Sequence, residues 1–376
     1  MYFMALGGGQ RIGASCYYLK LGESNIILDA GTGLDSEGVI FEPNLYALKT
    51  SPFVTSLTQI NQIFVSHAHM DHIGYLPKLI QETPMADVYM TDMTKTLTEF
   101  QLYDKTYTAN QNQMIRLGIK SCLDKIVPVT YAKPMKFKDY TATFFSAGHI
   151  PGAMMILFEY NRRKILYTGD YSVMNTALTD GCFMFEGYNI DTIIMCGVHA
   201  KHPKYTTKNN YLHKILENIE RQIFLGKKVK CYVPQLTKGI EFIKILNERN
   251  RTNTPIYIDE GLLGLIDKMG TMTVPILTKN NYPAKGNLPN KPHIYVSSSE
   301  TFRYKNYENI RVDFSLHEDF DGIKKFVQTT NPKHIIVVHC GSSAHQNDHT
   351  IEQHIMYDGH CRTQFIFAAE TEIYNL

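Results

Sequence analysis

The sequence predicts a layered α/β protein whose first domain is interrupted by an inserted α/β unit, and three observations carry that prediction. In the first half, short apolar runs end in polar or glycine-rich turns: Ile26 to Leu28 before Asp29, Ile63 to Val65 before His67, Met154 to Phe158, Lys164 to Tyr167 before Asp170, and Thr192 to Met195. Runs of this length bounded by turn residues read as buried strands. Beyond Gly197 the texture changes to a regular alternation of strand and helix patterns. Near the end, His334 to Val338 is again an apolar run that delivers a histidine, His339. An insertion between two parts of one domain explains that return.

Taken in order, helical patterns over Ile73 to Gln81 and Lys95 to Leu102 lie between the early strands. They favour layers of sheet and helix over an all-β sandwich. After Gly197, Asn210 to Phe224 reads as an amphipathic helix, Lys228 to Val233 as a strand, Lys238 to Asn250 as a helix, Pro255 to Ile258 as a strand and Leu262 to Met269 as a helix. This alternation implies a compact unit with its own parallel sheet. A stretch containing Pro and Gly, Thr278 to Pro292, leads to a further strand, His293 to Ser297, and a helix is expected over Asp319 to Gln328.

Bulk properties narrow the function classes. A chain of 376 residues exceeds one ordinary core and implies two domains or one with an insertion. Hydrophobic residues make up 44% and charged residues 20%, without low-complexity tracts, so the chain folds. The net charge of +2 exerts no global pull on a polyanion, which leaves local patches such as Lys227-Lys228-Val229-Lys230 and bound metal to hold one. Seven scattered cysteines without a Cys-x-x-Cys pair argue against a disulfide framework and a thiolate zinc site. A reducing cytoplasm is expected. The apolar start, Met1 to Leu6, is too short for a signal peptide, and no apolar run reaches membrane-spanning length.

The most informative motif is His67-Ala68-His69-Met70-Asp71-His72, three imidazoles and a carboxylate within six residues directly after a strand. On a helix, His67 and His69 would point to different sides, so this pair converges on one ion only from a loop at a strand end. Imidazole with carboxylate suits Zn²⁺, with Mn²⁺ or Fe²⁺ as weaker candidates. His149 and Asp170 follow at later strand ends, where a rigid sheet can aim side chains at one point.

Together, Leu28-Asp29-Ala30-Gly31, the His67 to His72 run, Gly148-His149-Ile150-Pro151-Gly152 and Thr168-Gly169-Asp170 resemble, in order, the first four motifs of the metallo-β-lactamase fold. The opening Gly7 to Cys16 resembles the N-terminal hairpin of the branch that carries a β-CASP domain, which includes cleavage and polyadenylation endonucleases and ribonuclease J. Phe314 to Asp319 resembles that branch's motif B, and Val337-Val338-His339-Cys340-Gly341 its motif C. The resemblance implies an αββα sandwich with a short β-CASP-like cap, divided as 1–200 and 311–376 for the metal domain and 201–310 for the cap. It implies two zinc ions, one on His67, His69 and His149, the other on Asp71, His72 and His339, with Asp170 bridging. Asp29 would support the metal loop from behind by fixing a histidine tautomer. Asp71 and His317 would be catalytic, His317 as general acid on the leaving oxygen.

The implied activity is hydrolysis of RNA phosphodiesters by zinc-activated hydroxide. RNA is preferred over DNA because a histidine at motif C, here His339, accompanies the RNA-cleaving members. The expected partners are single-stranded RNA, no membrane, and either a second copy or a recruiting protein. One departure stands out: the acid that ends the strand before the insertion in this group (motif A) is absent, and Cys196 occupies its place. Glu318 is a candidate substitute for that acid. Competing readings are a non-catalytic or partner-activated scaffold of an RNA-processing complex, and a hydrolase of small esters or of DNA. Outside these motifs, His199 and His202 read as a solvated turn, and Ser342, Ser343 and His345 as a Ser-rich loop able to meet phosphate.

Overall fold

The computed structural model describes residues 1–107, 113–201, 208–234, 236–250, 252–270, 275–299, 306–312, 314–341 and 363–376. The chain divides into two compact units, one of Met1–Met174, Asp180–Tyr205 and His317–Leu376, the other of Asn175–Thr179 and Thr206–Leu316.

The first unit is built on two seven-stranded mixed sheets. One runs, from edge to edge, Ile373–Asn375, Tyr2–Gly7, Cys16–Leu21, Ser24–Leu28, Gln62–Phe64, Asp87–Thr91 and Ile126–Val129. The other runs Gln364–Phe367, His334–Val338, Thr192–Cys196, Arg163–Tyr167, Met154–Tyr160, Thr141–Ser146 and Met135–Lys136. Their inner faces share one core of alternating apolar residues, Phe3, Leu19, Ile26 and Phe64 against Phe144, Ile156, Phe158, Ile165, Ile194 and Ile336. Phe64 meets Phe158 edge to face at 5.5 Å between ring centroids, a favoured aromatic geometry. This is the metallo-β-lactamase sandwich expected from the motifs.

Strand direction positions everything that follows. Ser24–Leu28, Gln62–Phe64 and Asp87–Thr91 are parallel, so their C-terminal ends leave the first sheet at one edge. In the second sheet Arg163–Tyr167, Thr192–Cys196 and His334–Val338 are parallel. Thr141–Ser146 is reached from Arg163–Tyr167 by two antiparallel steps, which restores the same direction. Residues just past all of these strands therefore emerge along one edge of each sheet. Parallel pairs need crossovers, supplied by helices such as Leu76–Glu82 between the second and third of the first set.

Most expected elements sit within a few residues of their predicted places. The pattern over Ile73 to Gln81 resolves into two short helices, Met70–Ile73 and Leu76–Glu82, because Pro77 falls in the first turn of the second, where its missing N–H costs nothing. The second unit carries a five-stranded sheet in the order Asn281–Pro283, Ile256–Ile258, Ile294–Ser297, Lys228–Tyr232, Tyr307–Arg311. Every pairing in it is parallel. Asn281–Pro283 falls inside the stretch read as a connection; at the edge of a sheet a strand can end in proline without breaking a ladder. Among the described residues no helix is long and apolar enough to cross a membrane.

Candidate metal centre

The residues singled out in the sequence meet along the strand-end edge of the first unit. Asp29 follows Ser24–Leu28, His67 follows Gln62–Phe64, and Asp71 and His72 open the helix Met70–Ile73. His149 follows Thr141–Ser146, Asp170 follows Arg163–Tyr167, and His339 follows His334–Val338. His317 precedes the helix Phe320–Thr330, whose N-cap is Asp319.

Two groups of potential ligand atoms share Asp170: His67, His69, His149 and Asp170, and Asp71, His72, Asp170 and His339. In the first, His69 Nδ1 lies 3.1 Å from His67 Nε2 and 3.3 Å from His149 Nε2. Asp170 Oδ2 lies 3.6 Å from His67 Nε2 and 3.9 Å from His149 Nε2. In the second, His72 Nε2 is 3.4 Å from Asp170 Oδ2, and His339 Nε2 is 3.5 Å from Asp71 Oδ2. Ligand atoms on a tetrahedral ion with bonds of about 2.0–2.1 Å stand about 3.4 Å apart, so both groups have the spacing of a coordination shell.

A second observation fits these residues to a divalent cation. Both carboxylate oxygens of Asp170 and His339 Nε2 are buried without a hydrogen-bond partner. Leaving such groups unsatisfied is costly, and a cation in the second group satisfies Asp170 Oδ2 and His339 Nε2 together. Burial alone would raise the Asp170 carboxyl, but the rings of His72, His317 and His339 hold it well below the usual carboxylate range. It is an anion surrounded by imidazoles.

The far sides of the rings are fixed by hydrogen bonds. Asp29 Oδ2 lies 2.7 Å from His72 Nδ1, and its oxygens accept from the Ser66 backbone N–H at 2.6 Å and hydroxyl at 2.7 Å. Tyr167 donates its hydroxyl to the same carboxylate. Ser66 Oγ is 3.0 Å from His67 Nδ1, and Ser15 Oγ is 2.7 Å from His339 Nδ1. A carboxylate on Nδ1 selects the tautomer that presents Nε2 as a lone pair. Asp29→Ala is therefore expected to weaken metal binding by about 10- to 100-fold, read by competition against a chromophoric chelator. Unchanged affinity would show that Asp29 only shapes the turn. Asp29 and His339 also have positive φ, 58° and 51°, a conformation uncommon for non-glycine residues and concentrated at functional sites.

Sequence reasoning overlooked Ser15, Ser66 and Tyr167. Ser66 precedes His67, Tyr167 ends the run before Thr168-Gly169-Asp170 and Ser15 lies in the opening glycine motif, so each was in view without a mark of its own. His199, read as part of a solvated turn, is buried at 8% exposure, with its ring centroid 6.3 Å from that of His317. His202, Ser342, Ser343 and His345 lie outside the described residues.

The group beside His317 is not Glu318. Glu318 Oε2 accepts from the Val173 backbone N–H and Oε1 from that of Asp319, so this carboxylate ties the loop after Asp170 to the helix that follows His317. Asp170 Oδ2 instead lies 3.3 Å from His317 Nδ1, and Cys196 Sγ lies 3.9 Å from the same nitrogen. Burial pushes the His317 imidazole down to about 3 despite the pull of Asp170.

Comparison with known proteins agrees with this architecture. Residues 18–198 match the metallo-beta-lactamase superfamily domain, and residues 305–349 match the Zn-dependent metallo-hydrolase RNA specificity domain. A probable RNase, MJ4, of Methanocaldococcus jannaschii is 30% identical over 259 residues, covering 67% of this chain and 58% of the relative. RNase aCSPSF2 of Saccharolobus solfataricus is 27% identical, covering 69% and 51%, and Integrator complex subunit 11 of Danio rerio 28%, covering 68% and 44%. The chain thus spans about half the length of these curated relatives. A solved structure of a protein of unknown function from Enterococcus faecalis shares the fold, with a TM-score of 0.65 at 12% identity, over 100% of this chain and 99% of that one. With its motifs in order, its sheets paired as the fold requires and both domain matches in place, the chain carries a metallo-β-lactamase superfamily domain and is similar to the β-CASP RNA-processing nucleases.

Proposed function

We propose that this chain is a metal-dependent ribonuclease that holds two zinc ions and hydrolyses single-stranded RNA. The observation that carries the reading is the pair of ligand-spaced groups sharing the buried, hydrogen-bond-free Asp170, with His317 beside them. The relatives' names, RNase among them, support the RNA assignment. His67, His69 and His149 would hold one ion and Asp71, His72 and His339 the other, with Asp170 available to both groups. Zinc supplies Lewis acidity toward a phosphodiester and lowers the pKa of water toward neutrality.

The chain's own groups do the rest. Asp29 holds His72 in the tautomer that faces the centre, and Ser15 fixes the orientation of the His339 ring. His317 delivers a proton to the leaving 3′ oxygen, so the products carry a 5′ phosphate. Burial disfavours the protonated form of its ring, and the negative charge of an incoming phosphodiester favours it. The inserted segment, expected over 201–310, is the β-CASP-like domain. The six described cysteines are all free, which fits a reducing cytoplasm. Complex subunits among the relatives make a recruiting protein the natural partner.

The test uses end-labelled single-stranded RNA, the matching DNA and a generic ester, with and without chelator. Cleavage is expected for RNA alone, lost with chelator and with Asp71→Ala, and reduced about 10²- to 10⁴-fold by His317→Ala at unchanged metal content. Intact RNA with a fully loaded protein overturns the reading. A circular RNA run alongside separates cutting within the strand from trimming at an end.

A further inference from the structure

Cys196 ends a strand whose neighbours on either side lead to Asp170 and His339. Its backbone N–H donates to Thr168 Oγ1 at 3.1 Å, and the next N–H, of Gly197, donates to Val338 O at 2.8 Å. The thiol is therefore held by both flanking strands, and it is buried at 4% exposure. Sulfur Sγ, a ring nitrogen of His317 and a carboxylate oxygen of Asp170 all lie within 4.8 Å of one another.

Asp170 points to an occupant here independently of the thiol. Its oxygen Oδ2 faces His67, His72, His149 and His317. The other oxygen, Oδ1, is equally buried and has no hydrogen-bond partner. A bridging role for Oδ2 leaves Oδ1 with nothing to satisfy it.

We propose that Asp170, Cys196 and His317 form a third divalent-cation site, thiolate-containing and distinct from the two histidine-rich groups. On a tetrahedral ion with a sulfur bond of about 2.3 Å and a nitrogen bond of about 2.0–2.1 Å, those ligand atoms stand about 3.6 Å apart. The observed Sγ to Nδ1 distance is 3.9 Å, and a carboxylate oxygen of Asp170 lies within 4.8 Å of both. Ligation releases the thiol proton to solvent and forms one metal–sulfur bond. A thiolate selects zinc, cobalt or cadmium over magnesium or manganese, so this corner discriminates against hard cations more strongly than the other two. An ion on His317 Nδ1 also restrains the ring meant to carry a proton. Resting on the ribonuclease reading for this step alone, the site makes excess zinc inhibitory.

Cobalt titration of the full chain tests the site without relying on activity. The expected result is uptake of a third equivalent after the first two, with a thiolate-to-cobalt charge-transfer band in the near ultraviolet that grows only with the third. Cys196→Ser is expected to lose the band and the third equivalent, and Cys196→Asp to keep the equivalent without the band. Saturation of the unmodified chain at two equivalents with no thiolate band overturns the proposal whether or not any variant folds. A band that persists in Cys196→Ser also overturns it. A chain that takes up cobalt at two equivalents without the band leaves the ribonuclease reading intact, whereas one that takes up none overturns both.

Discussion

Asp170→Asn is expected to abolish metal retention at both histidine-rich groups and to lower RNA cleavage at least about a thousandfold, on the order of 4 kcal/mol of transition-state stabilisation. Its carboxylate belongs to both groups and is buried at 1% exposure. The substitution preserves shape while removing the one negative charge they share. Asp71 contributes to the second group alone and is more accessible, with 29% of its side chain exposed. Elemental analysis after gel filtration checks the claim: Asp170→Asn should fall well below Asp71→Ala, which keeps the first group. Equal, full loading of both variants would mean that Asp170 is not the shared ligand.

Gly31→Ala is the second large effect, and it is one of folding. A methyl group there would lie 1.7 Å from Asp71 O and 2.0 Å from Asp71 C. No rotamer relieves that, because the clash is with backbone. The contact is close because the loop after Asp29 and the loop bearing Asp71 are joined directly by Ala30 N–H to His72 O at 2.8 Å and Thr32 N–H to Met70 O at 3.1 Å, and through Ser15, whose N–H donates to Asp71 O at 2.9 Å and whose carbonyl accepts from Gly31 N–H at 2.9 Å. Separating the loops breaks several of these at about 1 kcal/mol each and adds overpacking strain of about 1–3 kcal/mol. A loss of roughly 3–5 kcal/mol is expected, with Asp71 and His72 displaced and metal affinity reduced. The comparison is Gly264→Ala within the helix Glu260–Met269, where a methyl group meets nothing within 4 Å. That change should stabilise by about 0.5–1 kcal/mol through helix propensity. If denaturant midpoints moved alike in both variants, the backbone contact at Gly31 would carry no special weight.

Legibility differed by the range of the interaction. The ligand residues were readable because each follows a short apolar run, and an imidazole or carboxylate at that position has few ordinary structural uses. Strands such as Asp87–Thr91 and Thr141–Ser146 carried less distinctive patterns, and Asn281–Pro283 was hidden by its proline. Ser15 could not be recognised, since its partner His339 lies 324 positions away. Glu318 was a reasonable substitute for the missing acid by adjacency, yet its oxygens turn to the backbone of Val173 and Asp319. Neighbours in sequence need not share an orientation, and His317 and Glu318 lie just before the helix that Asp319 caps.

By itself the sequence determined the chemistry of the centre: which side chains can bind a cation, that they leave strand ends, and that an insertion separates His317 and His339 from the rest. These follow from residue type and local periodicity. The resemblance implied that Asp170 bridges the two groups; only the tertiary structure decided that its oxygens are buried without a hydrogen-bond partner, that Asp29 joins His72 to the Ser66 turn, and that Cys196 lies beside His317 and Asp170. Those relations depend on parallel strand pairing that brings distant strand ends to one edge, and on burial that leaves a carboxylate without a hydrogen bond.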